Sequence, residues 1–97
     1  MYKIDLTRQA EKDSKLIERA GMKPKAVELL RIIRNNPYQN PPEYEKLQGF
    51  KDTYSRRINR QHRLIYQVLP NSDSLKAVDD TLYSGIVKVI RMWTHYE

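Results

Sequence analysis

The 97-residue chain is long enough for one core, and it holds no cysteine, so disulfide scaffolds and thiolate chemistry are excluded. Its formal net charge of +6 suits a polyanion or an acidic protein as partner, and a charge excess that serves solubility explains it equally well. No signal-peptide pattern or bilayer-length apolar run occurs, so the expectation is a single cytoplasmic domain over residues 1–97 with no membrane partner.

In chain order, Tyr2, Ile4 and Leu6 alternate with Lys3 and Asp5, the pattern of a half-buried strand. Thr7 suits the N-cap of a first helix over Arg8–Ala20, whose thin apolar stripe of Ala10, Leu16, Ile17 and Ala20 predicts an exposed helix. Gly21 suits the stop. Pro24 fits the first turn of a second helix to Asn35, in which Ala26, Leu29, Leu30 and Ile33 recur at core-facing spacing. Asn35–Glu43 has three prolines and no periodicity, and reads as a loop leading into Glu43-Tyr44-Glu45. Strands are expected at Thr53–Asn59, His62–Leu69 and Gly85–Trp93, while Leu75–Ser84 is ambiguous. The result is an α+β domain of order β-α-α-β-β-β, a two-helix N-terminal hairpin packed on a small, mostly antiparallel sheet.

Between Ser55 and Tyr66, Arg56, Arg57, Arg60 and Arg63 fall within eight residues with no acid among them. Such a hairpin repels itself unless something anionic shares its site, which marks a functional surface rather than an ordinary strand pair. A solvated basic hairpin explains the same residues. Period two puts Leu64, Tyr66 and Val68 on the core face and Arg63 on the other. A three-residue turn at Asn59–Gln61 pairs residue 57 with 63 and residue 58 with 62. A two-residue turn at Arg60-Gln61 would separate the two arginines. The first register is the one expected. Acid–base candidates are few: Glu43 and Glu45 in the Pro-stiffened loop, His95 near the end, and His62, which reads as structural. Tyr96 could hydrogen-bond or stack on a base. Nothing has the spacing of a metal site or a phosphate-binding glycine loop, so no metal and no cofactor are expected.

Ser55-Arg56-Arg57-Ile58, His62-Arg63-Leu64-Ile65-Tyr66 and the terminal His95-Tyr96, with Glu45-Lys46-Leu47 upstream and Phe50 after the glycine, resemble the YoeB/Txe family of bacterial toxins within the RelE-like superfamily of mRNA interferases. The resemblance extends over most of the chain. It implies a RelE-like fold and ribosome-dependent cleavage of mRNA at the A site. The roles it implies are Glu45 as general base, His95 as general acid, Arg57 and Arg63 on the phosphate, Tyr96 in support and Tyr66 in core packing. It also implies a cognate antitoxin, expected to be YefM/Phd-like, besides ribosome and mRNA, and leaves homodimerisation open.

Three departures stand out. Gln61 replaces an acid expected before His62, which leaves the arginines less neutralised. Trp93 stands where a basic residue often precedes the terminal pair, and offers a ring for stacking on a base. Leu75–Ser84 is longer than the short turn expected before the last strand, as an inserted loop would be. Two other readings fit the same residues: a non-catalytic RNA- or ribosome-binding module using the basic hairpin, or an inactive homologue acting through its antitoxin in transcriptional autoregulation.

Overall fold

The computed structural model describes residues 1–93. The elements follow as β1 (Tyr2–Leu6), α1 (Arg8–Arg19), α2 (Lys23–Asn35), β2 (Tyr44–Lys46), β3 (Thr53–Arg57), β4 (Arg63–Leu69) and β5 (Gly85–Arg91). The five strands form one sheet of order β1-β5-β4-β3-β2, parallel only between β1 and β5. This is the expected helical hairpin on a mostly antiparallel sheet, with one strand more than the sequence pattern indicates. The addition, β2, is three residues at the sheet edge, too short to show an alternation.

Local chemistry explains the helix limits. Thr7 Oγ1 accepts a hydrogen bond from Ala10 N at 3.0 Å, and the same hydroxyl donates to Ile90 O at 2.9 Å, so the cap also ties α1 to β5. Gly21, at φ +77°, takes the left-handed conformation after α1 that a side chain would oppose. α1 buries only Ala10, Asp13 and Ile17, so the exposed helix expected from its thin stripe is observed, with a carboxylate in its buried row. α2 buries Ala26, Leu29 and Ile33. These meet Leu64, Tyr66, Val87 and Val89 from the sheet, none more than 1% exposed. Each such aliphatic side chain contributes ~1.5–3 kcal/mol by leaving water. Among the described residues, no helix is long and apolar enough to cross a membrane.

Gly85 opens β5 opposite Tyr2 of β1. A Cβ there would stand 2.8 Å from Leu69 O and 2.9 Å from the Tyr2 ring, so only glycine lets the three strands close at this point. Leu75–Ser84 is a side hairpin and not part of the main sheet. Lys76 bridges Leu82, and Asn71 Nδ2 donates to the carbonyls of Leu75 and Tyr83 at 2.9 and 3.0 Å. Val78 at its tip is fully exposed.

Candidate functional site

The turn between β3 and β4 sets the site. Asn59 Oδ1 accepts from Gln61 N at 2.8 Å and from His62 N at 2.7 Å, closing an Asx turn, while Ile58 N donates to His62 O at 2.9 Å. This is the three-residue connection, and Arg57 pairs directly with Arg63. Ile58 and His62, 5% and 1% exposed, fall on the core side as that register requires. Two guanidinium groups thus stand on neighbouring strands, with Cβ atoms roughly 5 Å apart by strand geometry.

Glu45 meets them from β2, where it pairs with Ser55 of β3. One of its carboxylate oxygens lies 3.7 Å from Arg63 Nη2. Arg63 Nε donates to Ser55 Oγ at 2.6 Å. Glu45, Arg57 and Arg63 line a cleft of about 440 Å³ together with Lys25, Glu43, Arg60 and the Asn59 turn. Four cations face two carboxylates there, so an anionic group entering the cleft would be drawn in electrostatically.

The fourth arginine of the cluster does something else. Arg56 is 0% exposed and points into the core beside Tyr54 and Ile58. Its Nε donates to Tyr66 Oη at 3.1 Å, Nη1 to Pro42 O at 2.6 Å, and Nη2 to Pro37 O and Gln39 O at 3.1 and 2.8 Å. Its guanidinium also covers the Tyr44 ring at 4.8 Å. Tyr66 Oη donates in turn to Pro37 O at 2.7 Å, and burial raises its pKa even though Arg56 works the other way. Tyr66 is therefore a core residue, as expected, and also a fastener. Together the two side chains hold the loop that delivers β2, and with it Glu45. In the sequence Arg56 is simply one of four arginines within eight residues. Its parity with Tyr54 and Ile58 was the signal that separates it.

His62 is buried, and its ring stacks on Trp93 with centroids 3.9 Å apart and planes 22° from parallel. Trp93, whose ring the sequence offers for stacking, packs one face against the protein's own imidazole. Just before it, Asp13 of α1 accepts from Arg91 Nε at 2.8 Å and Met92 N at 3.0 Å, while Arg91 Nη2 donates to Trp93 O at 2.8 Å. Burial pushes the Asp13 carboxyl up, but the hydrogen bonds from Arg91, Met92 and Gln9 outweigh it and hold the group below the usual range. Those contacts fix residues 91–93 against α1 and the β3–β4 turn. His95 and Tyr96 lie outside the described residues.

A second, larger groove of about 860 Å³ runs at the opposite edge of the sheet, between β1, α2 and the side hairpin. It contains none of the candidate site residues.

A family model described as the YoeB-like toxin of bacterial type II toxin–antitoxin systems matches residues 5–96. Among solved structures, a YoeB/ParE toxin from Agrobacterium tumefaciens superposes with a TM-score of 0.76 at 26% identity, covering 97% of this chain and 99% of that one. A YoeB dimer from Staphylococcus aureus is 31% identical with a TM-score of 0.70, covering 98% of each chain. The YoeB–YefM complex from Staphylococcus aureus gives 30% identity and a TM-score of 0.68, covering 99% of each. No curated protein matches the sequence significantly.

Proposed function

The chain belongs to the YoeB-like toxins of bacterial type II toxin–antitoxin systems, and on that premise we propose that it is an endoribonuclease cutting mRNA in the ribosomal A site. Glu45 takes the proton of a ribose 2′-hydroxyl, whose oxygen then attacks the adjoining phosphorus. Arg57 and Arg63 hold the phosphate and stabilise the added charge of the five-coordinate transition state. His95 gives a proton to the departing 5′-oxygen, with Tyr96 in support. The first products are a 2′,3′-cyclic phosphate and a 5′-hydroxyl end. No metal takes part in these steps; proton transfer rests on the carboxylate and the imidazole.

The observation that carries this reading is the meeting of Glu45 with the paired arginines in one basic cleft, a carboxylate 3.7 Å from a guanidinium that borders the same space. In a translating extract, wild-type protein should halt synthesis. Arg63→Ala should lower the cleavage rate by roughly 10²–10³ by analogy with an oxyanion donor. Glu45→Gln and His95→Ala should each lower it by roughly 10²–10⁴. If translation stops equally with all three variants, the chain blocks ribosomes by binding and the cleavage reading falls.

The protein's partner on this reading is an antitoxin of the YefM kind, since a 30%-identical relative forms a complex with YefM. A chain of net charge +6 suits an acidic segment that folds on binding. The dimer of the 31%-identical relative extends the proposal to self-association, which sedimentation of the purified protein checks directly.

A further inference from the structure

We propose that Ser55 is the positioning residue of Arg63, through a steric gap and a hydrogen bond acting together. The inference rests on the phosphate-binding role of Arg63 proposed above. Arg63 starts on β4 and its ion-pair partner Glu45 on β2, two strand spacings away, roughly 10 Å. The strand between them is β3, and the residue it presents directly opposite Glu45 is Ser55. The long arginine must cross β3 over that position. A large side chain there would stand in its path, and serine does not. Ser55 is 0% exposed, as a residue beneath the crossing arm would be.

The hydroxyl also fixes the rotation of the arm. Ser55 Oγ accepts the Nε–H of Arg63 at 2.6 Å, which occupies the one donor on the inner side of the guanidinium. Nε is hydrogen-bonded on β3 and Nη2 lies 3.7 Å from the Glu45 carboxylate, so both contacts bias the plane of the group. That bias is in place before a phosphate arrives. The repulsion between Arg57 and Arg63 would otherwise drive the two heads apart, because they face each other across the strand pair. A buried serine hydroxyl and one carboxylate oppose that movement.

The test is a double-mutant cycle on programmed ribosomes under single-turnover conditions. Ser55→Ala keeps the gap and removes the acceptor. It should slow cleavage roughly 10-fold with little change in KM, because orientation matters most in the transition state. Ser55→Thr retains the hydroxyl and should cleave within about threefold of wild type, the extra methyl aside. Ser55→Cys, nearly the same size with a weak acceptor, should fall between and carries the test should the alanine variant not fold. Arg63→Lys has no Nε–H, so adding Ser55→Ala to it should change the rate less than about twofold. Equal losses from Ser55→Ala in both backgrounds would assign serine a merely structural role and overturn the proposal. A folded Ser55→Ala that cleaves as wild type would do the same. Failure of the underlying site reading looks different: Arg63→Ala and Glu45→Gln would cleave normally whatever stands at residue 55.

Discussion

At Arg56 a permanent charge sits where water does not reach, and its partners are three carbonyls and a tyrosine hydroxyl. On the other face of the same strand, Ser55 accepts from Arg63 and Arg57 lines the cleft. Adjacent arginines therefore have opposite tasks, one structural and one at the site, decided by strand parity alone. Replacing Arg56 with Met keeps the volume and strips the donors, leaving the Pro37, Gln39 and Pro42 carbonyls under-satisfied. Arg56→Met should lower unfolding free energy by ~3 kcal/mol, read from urea denaturation. It should also slow cleavage by loosening the loop that carries Glu45. A variant as stable as wild type would mean that water replaces the guanidinium without cost.

Between elements, two contacts decide how the ends of the chain meet. Asp13 ties α1 to the end of β5 at Arg91 and to Met92 just after it. Its pKa in the folded protein lies below the usual value, so its share of stability is fully present above the unfolded pKa of ~3.9 and is lost as pH falls through the lower folded value. Asp13→Asn should therefore cost ~1–3 kcal/mol at neutral pH. Its deficit against wild type should shrink in acid, as paired melts across pH would record. A deficit that grows in acid would reverse the assignment. At the other end of β5, Gly85→Ala brings a methyl against Leu69 O and the Tyr2 ring, 2.8 and 2.9 Å away. The carbonyl belongs to a central strand and cannot yield as a side chain would. The substitution should cost ~1–3 kcal/mol, with amide exchange rising first in β1.

Over the whole molecule, what could be read in advance was what is local. Thr7, Gly21 and Pro24 announced both helices because capping and turn chemistry act within a few residues. The sequence narrows the hairpin to two registers by turn length, and the favoured three-residue turn, which pairs Arg57 with Arg63, is the one observed. The Asp13–Arg91 contact joins residues 78 apart and left no trace in any local pattern. Nor did the stack of His62 on Trp93. β2 escaped notice because its three residues are flanked by prolines on one side and a turn on the other. The Pro-stiffened loop marks Glu43 and Glu45 alike, the resemblance alone selects Glu45, and its place beside Arg63 needs the folded sheet.

The central claim is that the cleft between β2 and the β3–β4 hairpin cuts mRNA on the ribosome. Mapping the 5′ ends of cellular mRNA after a brief pulse of expression tests it most directly. Wild-type protein should produce new 5′-hydroxyl ends in codon phase, dependent on translation, and Glu45→Gln and Arg63→Ala should remove them. Arrested translation with no new ends, or ends that persist in both variants, would contradict it.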